Sequence, residues 1–192
     1  DVRYAFLFPD VYEVGMSHLG MKILYHAINR MDGAWCERVF SPWVDMDAKM
    51  REAGVPLFSL ESRTPVREFD LLGITLQYEM CYTNILSALD LAGIELLASN
   101  RKSGPFVICG GPCACNPEPL APFVDAFAMG DGEELTLKTI EVYRKWRDAG
   151  LPREKYLEML AQLDGIYVPS LYDIAYKEDG TIANIQPHAP AK

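Results

Sequence analysis

No lysine- or arginine-rich run occurs anywhere in the sequence. Its 18 basic residues are outnumbered by 27 acidic ones, for a net charge of −9, and the pI is near 4.8. Nucleic-acid surfaces need clustered cations to displace the counterions of the phosphate backbone, so this segment is not expected to bind RNA or DNA by itself. Long hydrophobic runs are missing too. None approaches the roughly 18 residues that span a bilayer, and no charged-then-apolar leader opens the chain. No membrane and a cytoplasmic location are therefore expected. Cysteine is sparse and odd in number: Cys36, Cys81, Cys109, Cys113 and Cys115. With 192 residues, 49% of them hydrophobic, the chain can fold on an apolar core without a disulfide framework, so reduced thiols are expected. Finally, no G-x-G-x-x-G follows the first apolar run, which counts against a free-standing nucleotide-dependent reductase or transferase.

What is present is organised around residues 4–20, YAFLFPDVYEVGMSHLG. The apolar run Tyr4 to Phe8 stops at Pro9-Asp10. After Gly15 and Ser17 it gives way to the helical spacing of Met21, Ile23, Leu24, Ala27 and Ile28, which predicts buried strand, loop and helix. Further strands are expected at Glu37 to Ser41, Phe69 to Leu76, Phe106 to Cys109 and Asp125 to Met129, with a minor edge strand at Pro56 to Leu60. Helices are expected over Asp45 to Ala53 with Met46 and Met50 inward, around Asn84 to Leu91, over Leu135 to Ala149 and over Pro152 to Leu163. Strands alternating with helices at this spacing predict a Rossmann-like or flavodoxin-like doubly wound parallel sheet of about five strands with helices on both faces. Past Gly150 the pattern changes. Tyr167 to Tyr172 is expected to begin a strand that pairs with Thr181 to Ile185 across Glu178-Asp179-Gly180, and Gln186 to Lys192 reads as a linker. The division that follows is an α/β domain over 1–150 and a C-terminal extension over 151–192 made of a helix, a β-hairpin and a linker.

Four polar or glycine-rich loops follow the strands in order: PDVYEVGMSHLG, LQYEMCYTN, GGPCACNPEP and GDGEE. In a parallel sheet all four open at the carboxyl ends of the strands and line one cleft. Asp10, Tyr12, Gly15, Ser17 and His18 come from the first loop, and Thr75 and Gln77 flank the second. Gly110 and Gly111 lie in the third, and Gly130, Asp131 and Glu133 in the fourth. Glycines there would let a ligand approach the backbone. Asp131 and Glu133 suit hydroxyls or amides rather than phosphate, or else complement the helix dipole. Glu118, in Asn116-Pro-Glu-Pro119, is held in a rigid loop that either aims its carboxylate into the cleft or starts a short helix.

The strings FPDVYEVGMSHLGMKILY, SPWVDM, PLFSLESRTPVREFDLLGITLQYEMCYTNIL, CGGPCACNPEPLAPFVDAF and GDGEE resemble the N-terminal region of a family of cobalamin-binding-type radical S-adenosylmethionine (SAM) proteins, over about residues 2–185. The resemblance implies a Rossmann-like domain related to cobalamin-binding domains, followed in the same polypeptide by a radical SAM barrel. It implies cobalamin as the cofactor this domain would hold, and a [4Fe-4S] cluster and S-adenosylmethionine in the barrel. The barrel is then the partner whose mouth these loops would cover. Standard cobalamin domains carry D-x-H-x-x-G in the first loop, with the His on cobalt. Here the aligned string is Asp10-Val-Tyr12-Glu-Val-Gly15, and a phenol is a poor substitute for neutral imidazole. The S-x-L element is reduced to Thr75-Leu76-Gln77, and the GG element is Gly110-Gly111. Cys109, Cys113 and Cys115 are spaced C-x3-C-x-C, with Asn116 where the cluster motif C-x3-C-x2-C needs its third cysteine. No metal site and no catalytic residue are therefore expected within this chain, and no turnover from it alone. Two readings stay open beside the nucleotide-dependent one: capture of base-off cobalamin without a protein ligand, and a degenerate, cofactor-free docking or lid domain for the barrel.

Overall fold

The computed structural model describes residues 1–191. Five parallel strands form most of the sheet: β1 (Val2–Phe8), β2 (Ala34–Phe40), β3 (Leu71–Thr75), β4 (Phe106–Gly110) and β5 (Ala126–Ala128). The antiparallel β6 (Ile166–Tyr167) completes it, in the order β2-β1-β3-β4-β5-β6. β1 has β2 on one side and β3 on the other, with Tyr4 in register with Cys36 and with Leu71. The chain order reverses between β1 and β3, the place where doubly wound sheets open a crevice at their carboxyl ends.

The helices are α1 (Tyr12–Gly15), α2 (Leu19–Asn29), α3 (Val44–Ala53), α4 (Tyr82–Leu91), α5 (Gly132–Asp148) and α6 (Arg153–Leu160). Because successive strand side chains point to opposite faces, β1 supplies both halves of the core. Tyr4, Phe6 and Phe8 pack with Met21 and Ile28 of α2, Ile140 of α5 and Tyr156 of α6. Ala5 and Leu7 pack with Met50 of α3 and with Ile85 and Leu89 of α4. This is the three-layer, Rossmann-like α/β arrangement the alternation predicts. Past Gly150 the chain is built into the same core: Tyr156 is fully buried, its ring 4.3 Å from that of Phe106, a contact of about 0.5–1.5 kcal/mol beyond area burial.

Several elements differ from the sequence-based expectation. Pro56 to Leu60 forms no sheet strand, only an isolated bridge between Phe58 and Pro65. Met46 faces solvent, 46% exposed, while Met50 is buried, because α3 lies over the sheet edge and buries little more than one residue. The strand at Ile166–Tyr167 belongs to the main sheet. The hairpin starts later, as β7 (Tyr172–Tyr176) with β8 (Ile182–Pro187). Its turn is at the expected place, where the Asp179 carboxylate accepts from the Thr181 N–H at 2.9 Å. Gln186 and Pro187, expected in a linker, end β8 on an open edge, where a missing N–H costs no ladder bond. The expected linker's last residue, Lys192, lies outside the described residues.

Behind the sheet lies a buried ion pair. Arg101 donates from Nη1 to Asp125 Oδ2 at 2.7 Å, with both side chains shielded from solvent. Its other guanidinium N–H groups are taken by the carbonyls of Glu95, Leu96 and Phe123. Asp125 also accepts from the Val107 N–H at 2.7 Å. The network pins the loop entering β5 to β4, and every charge in it is paired, as a buried ion requires.

Candidate functional site

A cleft of about 290 Å³ opens at the carboxyl ends of β1, β3, β4 and β5 and runs down between the sheet and helices α2 and α5. It exists because both of its walls are built from small residues. On the sheet face that also carries Tyr4 and Phe6, the positions below the helices are Gly73, Gly110, Ala126 and Ala128, and α5 turns Gly132, Thr136 and Thr139 toward them. Larger side chains there would have filled the layer to normal packing density. Leu24 of α2 closes one side and Ile108 lines the floor.

The mouth is polar and ordered. His18 is the N-cap of α2, and its Nδ1 accepts from the Met21 N–H at 3.1 Å. This fixes the neutral tautomer whose Nε2–H donates to Gln77 Oε1, also at 3.1 Å. The Gln77 amide in turn donates to Thr75 Oγ1. The Phe8 ring backs the imidazole at 5.2 Å. Opposite lies Gly111, at φ +108°, where an added Cβ would stand 2.8 Å from the Leu76 carbonyl oxygen. The turn is that tight because Leu76 donates to the Gly110 carbonyl at 2.6 Å and accepts from the Cys113 N–H at 3.1 Å. Only glycine fits.

Of the residues singled out from the sequence, the structure brings seven together around this cleft: His18, Thr75, Gln77, Gly110, Gly111, Gly130 and Glu133. The other five stand elsewhere. Asp10 accepts from the Val11 N–H at 2.7 Å and from the Tyr78 hydroxyl at 3.2 Å, and lines a separate cleft of about 270 Å³ with Ser41, Asp47 and Asn84. Tyr12 packs edge-on against Phe40, centroids 5.3 Å apart, in an apolar groove shared with Met46 and Leu60. Gly15 is wedged between Phe8 and Phe40, where a Cβ has no room. Ser17 donates to the Val14 carbonyl at 3.3 Å. Asp131 is the exposed N-cap residue of α5, with no capping hydrogen bond from its side chain.

Sequence inspection missed Tyr4, Phe6, Gly20, Leu24, Gly132, Thr136 and Thr139, all of which line the cleft. Two signals were available: the alternation of β1, which puts Tyr4 and Phe6 on one face, and small residues at helical spacing in α5. The cysteines do not gather into a ligand set. Cys109 is fully buried, and burial pushes its thiol far above the ordinary range. Cys115 is exposed and donates to the Pro112 carbonyl at 3.2 Å. Among the described residues no group of three ligating side chains is placed to hold a metal ion. Glu118 is held by two phenols, accepting from Tyr167 at 2.7 Å and Tyr176 at 3.3 Å, and so ties the hairpin to the loop after β4.

A mostly parallel sheet in this order, with a cleft under glycine-lined loops at its carboxyl edge, defines a Rossmann-like α/β domain. Residues 20–169 match the family described as "Radical SAM proteins, N-terminal", and the chain belongs to that family. It is similar to the uncharacterized protein MJ0966 of Methanocaldococcus jannaschii, 28% identical over 185 residues that make up 90% of this chain and 36% of that protein. Among solved structures it is similar to the radical SAM methyltransferase TsrM of Kitasatospora setae, determined with its tryptophan substrate and the SAM analogue aza-SAM. The TM-score is 0.52 at 14% identity, covering 97% of this chain and 30% of that one; at this identity the likeness speaks for the fold alone. The chain thus spans about a third of the length of each relative. No helix among the described residues is long and apolar enough to cross a membrane.

Proposed function

We propose that this chain is the cofactor-holding N-terminal domain of a radical SAM iron-sulfur protein, and that its cleft takes the base-bearing tail of a base-off cobalamin. The observation that carries this is the cleft itself. At about 290 Å³ it falls just short of the usual range of small-molecule sites, about 300–1,000 Å³. It suits one flat end of a large ligand whose remainder lies on the rim above. The turn at Gly110-Gly111 admits a ligand against the backbone, and His18, Gln77 and Thr75 offer polar contacts at the mouth. No residue of this chain is assigned to cobalt. Tyr12 is engaged with Phe40, and both ring nitrogens of His18 are already committed. When bound, cobalamin supplies a cobalt centre able to carry an alkyl group. The residues here orient it and shield one end from water. The [4Fe-4S] cluster and S-adenosylmethionine belong to the barrel in the longer polypeptide, and this chain alone has no turnover.

A second reading, a docking or lid surface for that barrel without a cofactor, is favoured by one observation. The loops and helix starts after β1, β2 and β3 expose large apolar side chains: Leu19 at 69%, Trp43 at 64%, Val44 at 72% and Met80 at 82%. Clustered exposure of this kind marks interaction surfaces. Titration with hydroxocobalamin, followed by absorbance and thermal shift, separates the two. Saturable binding with a raised melting temperature supports cofactor capture. Absence of binding by the full-length protein leaves the docking surface as the function.

A further inference from the structure

On the face of the sheet opposite the cofactor cleft, α3 and α4 leave a second opening of about 270 Å³ against the loops after β1 and β2. Its lining is rich in acceptors. Asp10 and Asp47 contribute carboxylates, Asn84 an amide, and Ser41 and Ser87 hydroxyls, while no Lys, Arg or His lines it. The Asn84 side chain already donates to the Pro9 carbonyl at 3.0 Å. One cation stands behind this wall: Arg51 donates from Nε to Asp47 at 2.7 Å and from Nη1 to Asp90 at 2.6 Å. Asp45 and Asp47 answer the positive end of α3. Asp10 accepts only from the Val11 N–H and the Tyr78 hydroxyl, so its charge has no counter-ion among the described residues. Ser41 stands beside it, its N–H donating to the Asp10 carbonyl at 2.9 Å. The Ser41 hydroxyl oxygen is shielded from solvent and has no hydrogen-bond partner among the described residues, a deficit that the fold itself does not make good.

We propose that this second opening is a binding site for a guanidinium group, paired with the Asp10 carboxylate and lying against the Trp43 indole. A ligand that matches the lining brings positive charge and N–H donors and needs no donor in return. Phosphates and carboxylates fail on both counts. A metal ion does not fit either, since among the described residues no three ligating side chains are placed to hold one. A guanidinium carries five N–H donors in one plane and no acceptor, against the three of a compact ammonium. The acceptors here are spread over four segments, the loops after β1 and β2 and the helices α3 and α4, which suits the wider fork. The exposed Trp43 indole at the edge of the opening adds a flat face on which a guanidinium stacks. The same chemistry is found in a small guanidine and in an arginine side chain, and the titrations below separate the two.

The test titrates the full-length protein by calorimetry with agmatine, with N-acetylarginine methylamide, and with n-butylurea, which keeps planar N–H donors but carries no charge. The two guanidines are expected to bind and the urea is not. Tighter binding of agmatine assigns the site to a free small molecule, and tighter binding of the capped arginine to a protein side chain. Asp10→Asn keeps an oxygen for the Val11 N–H and should bind the guanidines about tenfold or more weakly, the scale of a hydrogen bond to a charged group. Trp43→Ala, at an exposed position, should weaken them about twofold to fivefold. Both variants are expected to melt close to wild type. Failure of wild type to bind either guanidine, a urea that binds as well as they do, or undiminished binding by folded Asp10→Asn overturns the assignment. None of these results bears on cobalamin capture, which belongs to the other face of the sheet.

Discussion

His18 and Gln77, 59 residues apart in sequence, are joined Nε2 to Oε1 at 3.1 Å across the mouth of the cleft. The link ties the N-terminus of α2 to the loop after β3, one element from each side of the point where the sheet order reverses. It also consumes the imidazole, whose other nitrogen caps α2.

Two substitutions at His18 therefore have different outcomes. His18→Asn keeps a capping acceptor and is expected to melt close to wild type, whereas His18→Ala loses the cap and about 1 kcal/mol. Neither should alter the absorption bands of bound cobalamin. A band shift in His18→Asn would put the imidazole on cobalt and refute a base-off attachment without a protein ligand.

The two glycines of the lip separate binding from folding. At Gly110 an added Cβ meets the Ala128 carbonyl oxygen at 3.4 Å, an ordinary contact, whereas at Gly111 it collides with the Leu76 backbone at a positive φ. Gly110→Leu should keep a near-native melting temperature while its side chain fills the cleft and abolishes cobalamin binding. Gly111→Ala should lower stability first, by about 1–3 kcal/mol. Undiminished binding by folded Gly110→Leu would exclude this cleft as the cofactor site.

The Arg101–Asp125 pair sets a stability test far from the cleft. Asp125→Asn leaves a guanidinium that is fully shielded from solvent without its counter-charge, and breaking one partner of such a pair costs about 3–5 kcal/mol. Chemical denaturation should show that loss. A change below about 1 kcal/mol would mean that the carbonyls around Arg101 suffice to hold it.

The contrast between Gly110 and Tyr4 shows what the sequence made legible. Strand positions, the rim and the glycine lip follow from local rules: an apolar run ending in Gly110-Gly111 reads as a buried strand and a turn wherever it occurs. Tyr4 looked like one more apolar strand residue because its reach across β3 depends on Gly73, 69 positions away and two residues beyond Tyr4's own register partner Leu71. Tyr12 presents the opposite case. It stands in sequence where D-x-H-x-x-G has its His, and the structure packs its ring on Phe40 at the end of β2. The two-residue β6 escaped notice because nothing in Ile166-Tyr167 distinguishes it from the hairpin until its pairing with β5 is seen.

Glu37 supplies a prediction in pH. It lies in β2, 7% exposed, and its carboxylate accepts from the Ser62 hydroxyl at 2.6 Å and the Ser62 N–H at 3.1 Å. Burial alone would push its pKa up. Hydrogen bonds from Ser59 and Ser62, with the positive charge of Arg3, outweigh burial and hold it below the ordinary 4.5. The folded state thus binds this proton less readily than the unfolded chain. The resulting stabilisation is fully present above about pH 4.5 and fades as pH falls through the folded value. Glu37→Gln should accordingly be less stable than wild type at neutral pH, with the gap narrowing on acidification until the two coincide. Denaturant melts of both proteins across that range are the measurement. A gap that stays constant with pH would show that packing around position 37, rather than the charge, holds the segment at Ser62 to the sheet.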